Sequence, residues 1–442
     1  MVTKKIELRK HLNADALISR IRSCFEKIED HRSKNSKISL SDALMSAFAM
    51  FSLKDPSLLA FEERQSENLN LKSIYKIDNI PCDTQMRTIL DNVEPGDIEP
   101  IFSDVFRQLQ RGKVLEKMVF MNRCYLLSID GTGYFSSNKI HCDSCCEKKR
   151  SKTGEITYEH QILGAAIVHP DFREVIPLAP EPIIKQDGET KNDSERNASK
   201  RYFKKLRKMH PHLRLIVTED SLNSNAPHIL ELKKHKLNYI IGVKNGDHAF
   251  LFDYVESAVK DGLTTEIQYE KDDIAYKFRF INQVPLNASN QDLLVNFVEC
   301  WEIKPEKTLY FSWVTDIYVT EENVFQIMQG GRARWKIENE TFNTLKNQGY
   351  QFEHNYGHGN KNLSVVFAML MMLAFLVDQA QQIACPLFQK VWKKLGSKRS
   401  LWEKIRALFF GYKFNSMEDL LIALFYGFKR DCPIILEDPP PS

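Results

Sequence analysis

The chain has 442 residues, of which 43% are hydrophobic and 27% charged, with a formal net charge of +3. This is the composition of an ordinary globular protein long enough for more than one domain, and its net charge is too small to mark a nucleic-acid binder by itself. Nine cysteines, an odd number, behind an N-terminus without the apolar core of a signal peptide, argue for a reducing cytoplasm.

Residues 1–113 read as helical throughout. Basic residues gather early, at Lys4, Lys5, Arg9, Lys10, Arg20, Arg22, Arg32, Lys34 and Lys37. Ser41 and Asp42 offer an N-cap to a helix over residues 43–53. A short helix follows Pro81, with Asp83 as its cap and Gln85 and Arg87 on its first exposed turn. Such a helix suits either a DNA groove or the solvated face of an oligomerisation bundle.

From Met118 the pattern changes. Residues 125–130 are a short buried strand ending in Asp130, followed at once by Gly131-Thr132-Gly133. Residues 161–168 and 174–178 are further strands. Asp193 would cap a basic helix over residues 194–209 that carries Arg196, Lys200, Arg201, Lys204, Lys205, Arg207 and Lys208. Residues 213–220 form a strand ending in Asp220, then come a helix over 225–236 and a strand over 239–243. Strands alternating with helices, with acids at strand ends, predict an α/β layer fold with its site at the sheet edge.

Between residues 245 and 319 the period shortens. Residues 275–280 alternate strictly, and 293–303 and 309–319 are rich in β-formers, which predicts an antiparallel insertion. The remainder is helical: residues 363–382, a basic segment with Trp392, Lys393, Lys394, Lys398 and Arg399, and residues 417–428. The apolar run 363–377 is too short to cross a bilayer and reads as a buried helix. The Pro439-Pro440-Pro441 tail predicts disorder.

Residues 332–346 hold no Pro or Gly and many helix formers. At about 100° per residue, Trp335, Phe342 and Leu345 share one arc with Glu338, and Glu340 falls opposite with Lys336, Asn343 and Asn347. A carboxylate on an apolar face needs a positive or protonated partner. That partner is either Arg334 one turn earlier, in a buried ion pair, or a metal shared with other carboxylates. Asp130 and Asp220 are the other carboxylates in reach, and Glu219 competes with Asp220 because strand alternation turns only one of them inward. Oxygen ligands suit Mg²⁺ or Mn²⁺, and two such ions about 4 Å apart would activate an attacking oxygen and stabilise a leaving one.

Three motifs now stand in order: Ser128-Ile129-Asp130-Gly131-Thr132, Thr218-Glu219-Asp220-Ser221-Leu222, and Arg334-Trp335-Lys336-Ile337-Glu338 with Phe342, Leu345 and Lys346. Together with the β insertion before the last acid, they resemble the DDE transposases of prokaryotic insertion sequences, in the group with a Tyr-Arg-Glu-Lys signature. The similarity runs over roughly residues 40–380.

The resemblance implies an RNase H-like core and metal-dependent cleavage and joining of DNA at transposon ends, by a homodimer acting on inverted repeats and target duplex. Carried over by position, Asp130, Asp220 and Glu338 are the catalytic Mg²⁺ ligands, and Arg334 and Lys346 contact DNA. Gly331 stands where the signature has Tyr, and Lys346 comes one residue later than the signature's spacing, which on a straight helix turns it by about 100°. Local patches must attract the duplex, since net charge does not: Arg334 and Trp335 near the site, and Lys204, Lys205 and Lys208 on the basic helix. Two rivals remain, an RNase H-fold nuclease that does not join strands and a DNA-binding protein without catalysis.

One further cluster stands apart. His141-Cys142-Asp143-Ser144-Cys145-Cys146 contains a single Cys-x-x-Cys. Structural zinc would take Cys142 and Cys145 with two of His141, Cys146 and His160, and ordinary reduced thiols are the alternative. The Gly/His-rich loop 349–359 follows the Glu338 helix, where His354 or His358 would touch DNA, assist proton movement or serve only as polar loop residues.

The expected layout is α/β: a helical DNA-binding or oligomerisation domain (1–113), a mixed RNase H-like sheet flanked by helices (114–244 and 320–385) interrupted by the β insertion (245–319), and a helical C-terminal region (386–442). A cytoplasmic, nucleoid-associated protein with no membrane partner is expected.

Overall fold

Eleven strands form one mixed sheet among the described residues. The computed structural model describes residues 12–33, 35–65, 69–185 and 194–427. Lys4, Lys5, Arg9, Lys10, Lys34, the cap expected at Asp193, Phe428 and the proline tail lie outside them.

In chain order the strands are β1 (Tyr125–Ser137), β2 (Cys146–Lys149), β3 (Ile156–Val168), β4 (Ile176–Pro177), β5 (Glu181–Ile183), β6 (Leu215–Glu219), β7 (Asn238–Gly242), β8 (Thr265–Lys271), β9 (Ile274–Pro285), β10 (Leu294–Ile303) and β11 (Thr308–Thr315). They lie side by side in the order β2-β3-β1-β6-β7-β11-β10-β9-β8, with β4 and β5 also pairing with β3. The β1–β6 and β6–β7 pairs are parallel, and the remaining pairs are antiparallel.

The two parallel connections run through helices, as parallel pairing requires. Helix Glu195–Met209 leads into β6 and helix Ala226–Lys234 leads from β6 to β7. Ser194 caps the first through its side chain on Asn197 N, and Asn225 caps the second on His228 N. β6 is buried along its whole length, the pattern of a strand covered on both faces.

The expected insertion is present as four strands rather than three. It also contains helix Ala249–Lys260, whose apolar stripe Leu251, Phe252, Val255 and Ala258 is buried. Instead of standing apart, the insertion continues the sheet, because β11 pairs with β7.

The helical part gathers around Leu363–Ala384, all 22 residues of which are buried. It packs on Leu40–Ser52, Pro95–Arg111 and Ala14–Phe25 from the N-terminal part, on Pro386–Leu395, and on β4. The helix is longer than the sequence pattern predicts. By length and composition it would cross a membrane, but 94% of that window is buried inside the protein, so its all-round apolarity has a packing explanation. Its N-terminus is capped from another helix: Asp91, just past Asp83–Leu90, accepts from the backbone N–H of Lys361, Asn362 and Leu363 at 3.0–3.1 Å. Inside it, Asp378 meets the fully buried Lys54 and the hydroxyl of Tyr350.

Two expected caps shift towards the N-terminus, one by a single residue and the other by two or three. Ser39, not Ser41 or Asp42, caps Leu40–Ser52, and Asp42 pairs with Arg22 at 2.6 Å. Cys82 stands at the N-cap of Asp83–Leu90, with Gln85 accepting from its N–H, while Asp83 pairs with Arg87.

Candidate functional site: an acidic cluster and a Cys/His cluster

β1 and β6 run parallel in the register Tyr125↔Leu215 to Ser128↔Thr218. Continued by two residues, that register sets Asp130 level with Asp220, which lies just past the end of β6; β1 does not end at Asp130 as expected but runs on through Gly131-Thr132-Gly133 to Ser137, paired with β3. Parallel neighbours in register point to the same face, about 4.8 Å apart. Asp220 caps the short turn Ser221–Asn223 through its side chain, at 3.0 Å from Leu222 N. Glu219 turns away and is fully buried, accepting from Asn223 Nδ2 and meeting His228 Nε2 at 2.6 Å. Burial works against a charged imidazole there, but the adjacent Glu219 outweighs it and His228 is held above its ordinary pKa. Of the two acids that compete in the sequence, Glu219 is the one with a side-chain partner inside the fold.

The third acid arrives on the helix over the sheet. Ser128 on β1 donates its hydroxyl to the carbonyl of Arg334 at 2.9 Å. Opposite Asp130 in the β1–β3 ladder is Gly164, and a Cβ there would lie 2.7 Å from the ring of Phe342. The missing side chain is what lets the helix seat at this depth.

Arg334 Nη1 donates to Glu338 Oε1 at 2.6 Å and lies 3.9 Å from Asp130 Oδ2. The guanidinium also stacks over Trp335, 4.4 Å from its centroid. Asp130 and Glu338 keep 25% and 34% of their side-chain surface exposed, so the group opens to solvent. Burial first, and then the nearby negative charge of Glu338, push Asp130 up to about 7 despite Arg334. The mutual repulsion expected of clustered acids is present, but desolvation is the larger cause.

A fourth carboxylate, unread in the sequence, completes the group. Glu195 opens helix Glu195–Met209, and its carboxylate occupies the space a side chain at Gly131 would need. Burial raises its pKa, and the charges of Asp220 and Glu219 add to this, while Glu195 in turn raises Asp130. It therefore couples to acids on both strands. An acid in the first turn of a helix is also what the dipole favours, so nothing in the sequence singled it out.

The helix itself is not the straight one expected. Turns at Ala333 and Arg334 separate helix Val324–Arg332 from a π-helical turn over Ile337–Phe342, and α-helix resumes at Asn343–Asn347. The buried residues are Ile337, Thr341, Phe342, Thr344 and Leu345. Trp335 is not among them, being 49% exposed, because the tightened turn before it rotates it off the inner face. A π turn takes up one extra residue without advancing the helix phase. The one-residue delay of Lys346 is thus absorbed, and Lys346 falls within about 20° of Glu338 rather than about 80° away. Its Nζ binds Glu353 at 2.7 Å. Glu340 is directed elsewhere, where its charge acts on Lys336 and Lys398.

The basic helix divides. Lys204 and Lys208 are exposed. Lys205 is bound to Glu99 at 2.6 Å and Glu181 at 2.7 Å, Arg201 to Glu181, and Arg207 to three backbone carbonyls. Lys205 is therefore held within the fold by two carboxylates, unlike Lys204 and Lys208.

A second cluster lies near the far end of the β1–β3 pair. Cys142, Cys145, His160 and His358 bring one ligand atom each to within 4.8 Å of one another, all four residues buried, and could hold a metal ion such as zinc. The fourth member differs from both expected candidates. His141 is exposed and stacks on Tyr158 at 4.4 Å, and the Cys146 thiol turns to the carbonyl of Ile183. Cys146 opens β2, where strand alternation points it away from Cys145. His358 enters instead, from the loop after the Glu338 helix, on a Gly357-His358-Gly359 turn whose glycines have φ of +150° and +68°. His354 stays outside this cluster, its ring packed against Tyr356. No family model and no curated protein matched this chain.

Proposed function

We propose that this chain is a DNA transposase of the DDE class with an RNase H-like core, cutting phosphodiesters at the ends of its element and joining the freed 3′ ends to target DNA. The observation that carries this reading is the parallel register of β1 and β6, which when continued brings Asp130 level with Asp220, with Asp130 and Glu338 both beside Arg334 of the covering helix. The sheet order supports it too: an antiparallel pair, β3 and β1, continues into the parallel β6 and β7, and an insertion interrupts the chain before the third acid.

The donor set fits hard divalent cations. It is all carboxylate oxygen and partly exposed, and burial, followed by the charge of Glu338, drives Asp130 towards its protonated form. Two Mg²⁺ or Mn²⁺ ions held there would supply an activated oxygen nucleophile and stabilise the leaving oxygen. Asp130, Asp220 and Glu338 would hold them, with Glu195 between the strands as a further donor. Arg334 balances the carboxylates while they are unliganded and, with exposed Trp335 stacked beneath it, offers a cationic and aromatic face to a phosphate and a base. Lys204 and Lys208 add sequence-independent attraction to the duplex. Since an element has two ends, the working unit is a pair of chains on DNA.

The test uses the full chain with duplexes carrying the ends that flank its own coding region, in Mg²⁺. Cut ends joined to a target support the reading, and Asp130→Asn, Asp220→Asn and Glu338→Gln should each abolish both steps while DNA is still bound. Cutting without joining would reassign the chain as a nuclease, and binding without cutting as a DNA-binding protein.

A further inference from the structure

The Cys/His cluster serves a purpose that the acidic site does not explain. Cys142 Sγ and Cys145 Sγ are 3.8 Å apart. Cys142 Sγ lies 3.3 Å from His160 Nε2, and Cys145 Sγ lies 3.4 Å from His160 Nε2 and 3.3 Å from His358 Nε2. Tetrahedral zinc has Zn–S near 2.3 Å and Zn–N of about 2.0–2.1 Å, so its ligand atoms should stand about 3.8 Å apart for S···S and about 3.5 Å for S···N. The observed edges fall close to these values.

Two further features point to a bound ion. The four ligand atoms are mutually close, as around one centre, where a hydrogen-bonded chain would need only successive contacts. The set is also deeply buried: His160 is 0% and Cys145 1% exposed, with Cys142 and His358 at 8% and 7%. The Nδ1 atoms of both imidazoles lack a hydrogen-bond partner. Two thiols and two imidazoles in such a place cost desolvation that their mutual hydrogen bonds repay poorly. Coordination of an ion by the two sulfurs and the two Nε2 atoms offsets the cost of burying those four atoms.

We infer that Cys142, Cys145, His160 and His358 bind one zinc ion in a closed, structural site. Four protein ligands leave no open position for substrate. Cys142 and Cys145 belong to the turn after β1, the strand of Asp130, and His160 lies on β3. His358 belongs to the loop after the Glu338 helix, 213 positions from Cys145. The ion therefore staples the loop that follows the third acid to the hairpin that carries the first. The inference does not depend on the proposed reaction.

The experiment is metal analysis of the full chain purified without chelators from zinc-supplemented cells. About one zinc per chain is expected, with cobalt replacement giving the intense visible bands of a tetrahedral thiolate site. Cys145→Ser and His358→Ala should lose the metal. His141→Ala and Cys146→Ser should keep it, as should Asp130→Asn, which separates this site from the acidic one. Because the first two variants would also be less stable, His358→Cys is the control: a Cys₃His set should restore the zinc. Wild-type protein free of zinc and unable to take up cobalt would overturn the inference. So would zinc that survives His358→Ala but not Cys146→Ser.

Discussion

Phe342 fills the space left by the missing side chain of Gly164, which stands opposite Asp130 in the β1–β3 ladder. One glycine thus sets how close the Glu338 helix comes to the sheet. Gly164→Ala should push the ring away, at a cost of about 1–3 kcal/mol as for other overpacked cores. Thermal unfolding of Gly164→Ala, Phe342→Leu and the double variant tests this. The double variant should recover part of the loss, whereas purely additive costs would mean that the two residues do not share the space.

Glu338 and Glu340 are two residues apart but serve different surroundings. Glu338→Gln removes an oxygen from the Arg334–Asp130 group and should lower metal-dependent cleavage by orders of magnitude, leaving the fold intact. Glu340→Gln should change cleavage little. An inactive Glu340 variant beside an active Glu338 variant would show that the wrong side of the helix has been assigned to the site.

The elevated pKa of Asp130, about 7, links the acidic group to pH. A carboxyl raised on folding contributes stability that is full below its unfolded value, about 3.9, and is lost as pH rises through about 7. Without divalent ions the unfolding midpoint should therefore fall from about pH 4 to about pH 7, the window set by those two values, and level off above it, and Asp130→Asn should flatten the fall. Mg²⁺ competes for the deprotonated form, so its stabilising effect should grow over the same range. Glu195→Gln removes one of the repelling charges and should move the Asp130 titration, followed by carboxyl NMR, to lower pH. An unmoved titration would remove Glu195 from the group.

How much of this could be read from the chain depended on distance along it. Asp130, Asp220 and Glu338 each carry a local signature in a strand or on a helix; the β6 strand ends beside Asp220 as expected, whereas β1 runs on past Asp130 to Ser137 and the Glu338 helix is broken and partly π-helical. Contacts between remote segments were not legible. Glu195 resembles any dipole-favouring acid, and His358 any loop histidine, until Gly131 and the Cys142 turn are brought beside them. The inner face of the Glu338 helix was misread at Trp335 because periodicity assumes a constant 3.6 residues per turn. The tightened turn before Trp335 and the π turn after it both break that assumption, and no residue type announces either.

Lys204, Lys205 and Lys208 separate on the same principle. Lys204→Ala with Lys208→Ala should leave stability unchanged and make the log–log salt dependence of duplex binding shallower by about 1–2. Lys205→Ala leaves Glu181 with less compensation and should cost about 1–2 kcal/mol of stability. A salt slope that responds to Lys205 alone would place the DNA on the other side of this helix.

Ser128 holds the carbonyl of Arg334 across 206 positions, and Cys145 meets His358 across 213. A ribosome adding about 5–20 residues per second needs roughly 10–40 s to make the intervening chain. Through that interval the strands of Asp130 and Asp220 exist without the helix that completes their site. On the proposed reading, the emerging polypeptide would be unable to cut DNA until the Glu338 helix has been synthesised and has docked. A prematurely terminated product, missing the region beyond β11, would carry basic and acidic surfaces but no assembled centre.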